Sequence, residues 1–458
     1  MANPLKQLAG ETAIYGFSSI LARVLNFLFV PIYTRMLTQV QYGVVTEFMA
    51  YIAILQVVLV LGLETGCFRF ANKEGEDPRK VYSGALLAVT GLNLAFLACM
   101  VAFSDSISAA LGYEGYRSLI IYVAAILFCD SITAILFAKL RQEHKAVKFA
   151  VFKTIKILTE TGANLVLFFV YPAQPDFTYP IMAILASCVL CLALFIPDIL
   201  RLKLTWDSGV VKRMLAYSLP LMVAALPGVA NDFLDRILFR YFDTSAEAWR
   251  ASLGVYQAAV KLAVIMNLFI QMFRYAAEPF FFQRAKDKNS KELYAVVMDW
   301  FTAFCGLVLL GVVPVMLLSY MLLGMLFNVS MWYKLSGKTN MAIWITLAGL
   351  AVTTVVNVVF MPQFSYWASA FGHLASYLVM FILSAWLGSK YYPIPYNWKR
   401  IGGIFLLLGA AYAAIWFLST RFQADGVRWG MMAINTVVIC AYAAVCWAGL
   451  RKRGIPRE

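Results

Sequence analysis

Apolar stretches of about 20 residues follow one another along the whole chain and are separated by short polar segments. As a helix, at about 1.5 Å per residue, one such stretch crosses a hydrocarbon core of about 30 Å. A backbone in lipid must satisfy its own hydrogen bonds, so the pattern predicts an all-α polytopic membrane protein. The predicted spans are 10–34, 42–66, 81–104, 116–138, 150–171, 179–200, 214–241, 251–280, 341–361, 366–388, 400–420 and 428–450, with one longer run at 294–330.

Basic residues are concentrated in alternate loops of the first half of the chain, whereas the loops at 105–115 and 172–178 contain no lysine or arginine. The positive-inside rule therefore predicts a cytoplasmic N-terminus. The run at 294–330 contains no polar turn. If it were one span, the basic residues that follow would lie outside the cell. A tight hairpin turning near Gly311 and Pro314 keeps them inside, and the rule favours the hairpin.

Composition supports the membrane assignment and limits the classes of partner and cofactor that we expect. The chain is 62% hydrophobic and 14% charged, with a mean hydropathy of +0.76, whereas soluble domains are about half apolar and about a quarter charged. The net charge of +14 comes mostly from loop residues, so we expect no nucleic-acid partner. Cys188 and Cys191 have the spacing of a redox motif but no histidine nearby, which indicates packing. The two histidines are isolated, so we expect no metal and no cofactor.

A charge at the bilayer centre costs about 2.5–3.5 kcal/mol, so charged residues within spans usually face a cavity or each other. Arg23 lies mid-span and shares a helical face with Asn26, either as part of a buried ion pair or as an anion contact. Lys156 and Glu160 share a face of the fifth span and could form an internal ion pair. Asp130 has no cation at i±4, so it requires a partner on another helix or a proton, which makes it a candidate for ion coupling.

Two later spans carry further polar positions. Pro220, Pro227 and Gly228 predict a bend in the seventh span, where Asp232 and Arg236 can pair at i, i+4. The eighth span aligns a polar stripe along one face. We predict substrate binding by Arg23, Asn26, Lys261, Asn267, Gln271 and Arg274. We predict ion coupling or gating by Asp130, Glu160, Asp232, Asp235, Arg236 and Glu278.

Several segments, taken together, are similar to bacterial polysaccharide and lipopolysaccharide flippases of the O-antigen type, in the multidrug/oligosaccharidyl-lipid/polysaccharide exporter superfamily. The similarity covers nearly the whole chain. The segments are RVLNFLFVPIYTRML at 23–37, QYG at 41–43, GLETGCFRF at 62–70, YSLP at 217–220 with DR at 235–236, QMFRYAAEPFFF at 271–282, NVSMWYKL at 328–335 and YYPIPY at 391–396.

This resemblance implies 12–14 transmembrane helices in two pseudo-symmetric six-helix lobes plus two C-terminal helices. Residues 1–205 would form the N-terminal lobe with helices 1–6. Residues 206–395 would form the C-terminal lobe with helices 7–12, including a shortened or merged pair at 294–330. Residues 396–458 would supply the two additional helices.

The resemblance also implies a function, which is not enzymatic. The protein would translocate a polyprenyl-diphosphate-linked oligosaccharide across the bacterial inner membrane by alternating access, coupled to a proton or sodium ion. The other expected partners are membrane lipid and a polysaccharide polymerase or glycosyltransferases. Because deep cations match or outnumber unpaired deep acids, an anionic substrate is favoured over a cationic one.

Three alternatives remain open at this point. A multidrug or cation antiporter of the same fold would need deep acids to dominate. A membrane-embedded glycosyltransferase or polymerase would need catalytic residues on a sizeable outer loop. A non-transporting membrane scaffold of a glycan assembly complex would need no polar stripes within its spans.

Overall fold

The computed structural model describes residues 21, 24–25, 27–73, 75–171, 174, 176–202, 204–242, 248–283, 289–310, 314–421 and 429–451. The regular structure of this part is helical. Its helices are α1 (Val30–Met36), α2 (Gln39–Leu59), α3 (Leu63–Ala71), α4 (Pro78–Ala102), α5 (Ser104–Ala110), α6 (Arg117–Gln142), α7 (Ala146–Phe169), α8 (Thr178–Arg201), α9 (Ser208–Phe242), α10 (Ala248–Gln283), α11 (Ser290–Leu310), α12 (Pro314–Leu335), α13 (Met341–Phe364), α14 (Tyr366–Tyr391), α15 (Trp398–Arg421) and α16 (Trp429–Arg451).

The prediction of an all-α polytopic membrane protein is confirmed. Ten helices of the described part are long and apolar enough to cross a membrane, or eleven if the bent pair Ala248–Val264 and Met266–Arg274 within α10 counts as one span. This number is below 12–14 for three reasons. The span predicted at 10–34 lies largely outside the described residues, α7 is not among the ten, and the apolar part of α16, Asn435–Arg451, is shorter than a full span. Along its length α7 carries the charged residues Lys148, Lys153, Lys156 and Glu160.

The chain packs as two compact units. The first comprises Met1–Ala258 with Asn357–Tyr366, and the second comprises Ala259–Val356 with Trp367–Glu458. In the first unit α6 is central, because it packs against α2, α3, α4, α5, α7 and α8. A helix in this position is apolar on all sides, as α6 is along most of its length.

Two apolar clusters surround α6 at different levels. Leu119 and Ile126 pack with Phe48 in one cluster, and Ile135 packs with Phe195 in the other. Such packing of large side chains is the main source of stability among these helices in the first unit.

The span that contains α2 and α3 runs from Gln39 to Ala71 and is interrupted at Leu61 and Gly62, which have φ of 57° and 64°. A Cβ at Gly62 would lie 2.6 Å from the carbonyl oxygen of Ser218 on α9. Glycine therefore satisfies both the left-handed backbone and the close approach of α9.

The second unit is organised around α11, which packs against α12, α15 and α16. Arg400 of α15 lies 3.4 Å from the Asp299 carboxylate of α11, and the Tyr442 hydroxyl of α16 donates to the carbonyl oxygen of Ala303 at 3.3 Å. The run predicted at 294–330 lies across α11 and α12, which have 21 and 22 residues and pack against each other. α12 begins at Pro314, a residue favoured at the first helical position.

Candidate functional site

Asp130 of α6 lies against a lysine of the neighbouring helix α7. Lys156 Nζ forms an ion pair with Asp130 Oδ1, and Cys188 Sγ of α8 donates to the same oxygen at 3.4 Å. The two charged side chains are 17% and 28% exposed, for Lys156 and Asp130 respectively. The partner on another helix, left open by the sequence, is thus Lys156. The role of Asp130 in ion coupling stays a prediction.

Removing the lysine of this pair should destabilise the first unit. We expect Lys156→Met to lower the free energy of unfolding by about 2 kcal/mol, because Asp130 loses its counter-charge and a charge-assisted hydrogen bond. Denaturation in mixed detergent micelles, followed by circular dichroism, measures the change. Adding Asp130→Asn to Lys156→Met should recover most of the loss. If the double variant is less stable than the single one, the pairing is not what stabilises these helices.

The polar face of α7 continues beyond Lys156 to Glu160 and Asn164. Asn164 Nδ2 donates to the backbone oxygen of Glu160 at 2.9 Å, and Asn164 Oδ1 accepts from the Tyr33 hydroxyl of α1 at 3.1 Å. This stripe therefore connects α7 to α1 through a buried asparagine.

On α9, the predicted coupling residues surround a buried arginine. Arg236 is 6% exposed and Asp235 is fully buried. Arg236 Nη1 binds the Asp235 carboxylate at 3.0 Å and also donates to the backbone oxygen of Asp232. Its Nε donates to Gln257 Oε1 of α10 at 3.4 Å. The i, i+4 spacing predicts Asp232 as a partner of Arg236. The structure shows a bond from Arg236 to the Asp232 backbone oxygen and adds the adjacent Asp235 carboxylate, which this spacing does not predict.

Sequence reasoning missed a second deeply buried charge cluster, which is built on Glu47 of α2. Glu47 is fully buried, and its Oε1 accepts from Arg240 Nε of α9 and from the Tyr51 hydroxyl, both at 2.8 Å. The Tyr113 hydroxyl donates to Glu47 Oε2. The one feature of the sequence that could have indicated this cluster is Tyr51, which follows Glu47 by one turn on the same helical face.

Aromatic rings hold the arginines of this Glu47 cluster in place. The guanidinium groups of Arg240 and Arg250 lie over both Tyr113 and Trp249, at 4.7–5.6 Å from the ring centroids. Burial raises the pKa of Tyr113, and the Glu47 carboxylate raises it further, so the phenol stays protonated and acts as a donor. Beside the cluster is a cavity of 370 Å³, lined by Val40, Gln41, Val44, Gly112, Tyr113, Glu114, Tyr116, Phe177 and Arg250.

A close crossing of α2 and α10 positions Arg250 at this cluster. A Cβ at Gly43 would lie 1.8 Å from the backbone oxygen of Arg250, and a Cβ at Gly254 would lie 2.1 Å from the backbone oxygen of Gln39. Only glycine allows two backbones to approach this closely.

In the second unit, the polar stripe of α10 lies beside the buried face of that helix. The buried face includes Ala263, Met266 and Ile270, while Asn267 and Gln271 are half-buried. Lys261 is also half-buried. Arg274 is exposed, and its guanidinium lies over the Phe327 ring, 4.6 Å from the ring centroid. The Lys334 ammonium lies 5.3 Å from the same centroid. Arg23, Asn26 and the side chain of Glu278 lie outside the described residues.

Comparison with known families identifies the chain. A family model described as a polysaccharide biosynthesis protein matches residues 8–284. The chain belongs to the polysaccharide biosynthesis protein family. The matched part of this polysaccharide biosynthesis protein contains the Glu47 cluster, the Asp130–Lys156 pair and the polar stripe of α10. No curated protein matches the sequence with significance.

Solved structures with a similar fold include a lipid flippase and multidrug transporters. Lipid II flippase MurJ in an inward closed conformation has a TM-score of 0.67 at 11% identity, over 96% of this chain and 99% of MurJ. An inward-facing multidrug resistance MATE family transporter of the MOP superfamily has a TM-score of 0.57 at 14% identity, over 80% of this chain and 94% of that one. MATE in complex with MaD3S has a TM-score of 0.53 at 15% identity, over 85% of this chain and 96% of that one.

At 11–15% sequence identity, the similarity to these structures shows the fold alone. This polysaccharide biosynthesis protein is a multi-pass membrane protein with the MATE- and MurJ-like fold.

Proposed function

We propose that this protein is a flippase that moves a polyprenyl-diphosphate-linked oligosaccharide, such as an O-antigen or capsule unit, across the bacterial inner membrane. The observation that carries the proposal is the combination of a polysaccharide biosynthesis family with the fold of a lipid flippase over 96% of the chain. Transport proceeds by alternating access, and the N-terminus is cytoplasmic. A polysaccharide polymerase or glycosyltransferases would supply or consume the substrate.

Cationic side chains near the polar stripe of α10 suit the diphosphate of such a substrate. The Arg274 guanidinium is exposed and has no carboxylate partner among the described residues. A guanidinium binds a phosphate group in bidentate fashion. In this proposal Arg23, Lys261 and Arg274 contact the diphosphate, and the amides of Asn26, Asn267 and Gln271 hydrogen-bond the headgroup.

Acidic residues of the bundle supply the proposed coupling to a proton or sodium ion. Protonation of Asp130 would remove its ion pair with Lys156 and free α7 from α6, so one bound proton could change the packing of three helices. Glu160, Asp232, Asp235, Arg236 and Glu278 are the other residues proposed for coupling or gating.

Reconstitution into liposomes with a fluorescent polyprenyl-diphosphate oligosaccharide tests the proposal. Exchange between leaflets should exceed that of protein-free liposomes, and an imposed proton or sodium gradient should change its rate. Movement of a fluorescent cationic drug instead of the lipid would indicate the antiporter. Movement of neither substrate, by folded protein, would indicate the scaffold.

Arg274 provides the residue-level prediction for this assay. We expect Arg274→Ala to slow exchange about tenfold, the effect of losing one charge-assisted hydrogen bond, and Arg274→Lys to slow it less. Lys399→Ala is the matched control, because Lys399 is an exposed cation of the same unit that lies on α15 and not on the polar stripe of α10. Arg23→Ala tests the other proposed arginine. Equal rates for Arg274→Ala and Lys399→Ala would remove Arg274 from the site.

A further inference from the structure

The first unit contains a second, larger cavity, far from the polar stripe of α10 in sequence. Its volume is 460 Å³, within the range of about 300–1,000 Å³ that is usual for small-molecule sites. It opens where α4 begins and where α6 and α8 end. The lining residues are Pro78, Arg79, Tyr82, Lys139, Gln142, Glu143, Arg201 and Leu202.

The charges around this α4–α6–α8 cavity favour an anion. Three cationic side chains, Arg79, Lys139 and Arg201, line it with one carboxylate. That carboxylate, Glu143, is already neutralised by Lys139 at 3.2 Å and by Lys145 at 2.7 Å. Burial alone would raise the pKa of Glu143, but these lysines outweigh it and hold the pKa below its usual value.

The two arginines of the cavity are therefore available to a ligand. The guanidinium groups of Arg79 and Arg201 are exposed and have no carboxylate partner within the described part of the chain. Two planar guanidinium groups can hold a tetrahedral oxyanion through several hydrogen bonds at once.

Tyr82 gives an independent indication that a ligand belongs here. Its side chain is among the largest that are fully buried, at 1% exposure, and it lines the cavity. Its hydroxyl is buried and has no hydrogen-bond partner among the residues that the structure describes. Buried hydroxyl groups in folded proteins nearly always have a partner, so an unpartnered one at a cavity wall indicates an acceptor supplied from outside the chain.

We propose that the α4–α6–α8 cavity binds a phosphate group, held by Arg79 and Arg201 and accepting a hydrogen bond from the Tyr82 hydroxyl. The group belongs either to an anionic lipid headgroup or to a soluble phosphate. The alternation of basic loops predicts this end of the unit at the cytoplasmic surface, where both are present, and basic pockets between membrane helices bind lipid phosphates there. The site is separate from the proposed transport site, and its test does not depend on flipping.

Two binding measurements on the purified full chain distinguish the sources. In delipidated detergent micelles, inorganic phosphate is titrated at constant ionic strength while the thermal midpoint is followed. In native mass spectrometry, retained phosphatidylglycerol is compared with retained phosphatidylcholine. Stabilisation by inorganic phosphate indicates a soluble ligand, and selective retention of phosphatidylglycerol indicates a lipid headgroup.

Variants decide whether the cavity is responsible. Arg201→Gln and Tyr82→Phe should each weaken binding about tenfold in whichever measurement detects it. Lys212→Gln is the matched control, since it removes one exposed cation that does not line the cavity, and it should bind as the wild type does.

Tyr82→Phe also separates ligand binding from a structural role. Without ligand it should be as stable as the wild type or more so, because the hydroxyl it removes has no partner in the described part of the protein. If Tyr82→Phe does not fold, exposed Arg201 still tests the site. The proposal is overturned if neither measurement detects binding, or if Arg201→Gln and Lys212→Gln weaken it equally.

Discussion

Glu47→Leu should destabilise the protein by about 3–5 kcal/mol, because it leaves a buried arginine without its counter-charge. The Glu47 side chain is completely buried and that of Arg240 is 14% exposed. The variant also removes the acceptor of the Tyr51 and Tyr113 hydroxyls. Denaturation in mixed detergent micelles, followed by circular dichroism, measures the loss.

Two further variants make this prediction specific to the buried pair. Glu64→Leu is the control, since Glu64 pairs with Arg141 where the side chains are 44% and 35% exposed, and it should cost about 1 kcal/mol or less. Glu47→Leu combined with Arg240→Met should recover most of the stability, because the two apolar side chains can pack together. A similar loss for Glu47→Leu and Glu64→Leu would show that burial does not set the strength of these pairs.

Gly43→Ala should cost at least about 3 kcal/mol, the upper part of the range for overpacking. The added methyl group would lie 1.8 Å from the Arg250 backbone oxygen and 2.7 Å from its carbonyl carbon. Because these are backbone atoms, no rotamer change relieves the clash, and α10 must move away from α2. The same denaturation experiment measures the loss of stability, and size-exclusion chromatography reports whether the purified protein remains monodisperse.

Gly91→Ala is the matched control for Gly43→Ala. Gly91 lies within α4, and a Cβ there would have no neighbour within 4 Å. Alanine in an unobstructed helix interior is favoured over glycine by about 0.5–1 kcal/mol, so Gly91→Ala should be neutral or stabilising. If Gly43→Ala were as stable as Gly91→Ala, the two helices would not cross as closely as described.

The helical architecture could be predicted because it depends on local hydrophobicity, which the sequence shows directly. The partners of buried charges could not, because they depend on which helices pack together. For Asp130 the sequence left a choice between another helix and a proton, and the packing of α6 with α7 selects Lys156. The same packing brings Cys188 of α8 to the carboxylate.

The predicted span 42–66 places Glu47 near its start, because the apolar pattern begins at residue 42. The helix begins earlier, at Gln39, where Thr38 forms a capping box with Gln41, so Glu47 lies more than two turns inside. Capping by polar residues extends a helix beyond its apolar run, and hydrophobicity alone therefore misplaces its start. Tyr51 could have signalled the cluster, but the distant residues Arg240 and Tyr113 could not be predicted.

The separation between Glu47 and Arg240 also has a consequence for synthesis. The two residues are 193 positions apart, so at about 5–20 residues per second the ribosome takes about 10–40 s to produce the arginine after the glutamate. Lys156 follows Asp130 after only 26 positions, within about 1–5 s. Both hydroxyl donors to Glu47 are made within this longer interval. Tyr51 follows on the same helix, and Tyr113 follows 66 positions after Glu47. The Glu47 carboxylate therefore gains its counter-charge only when α9 is made, and α10 then completes the cluster with Trp249 and Arg250.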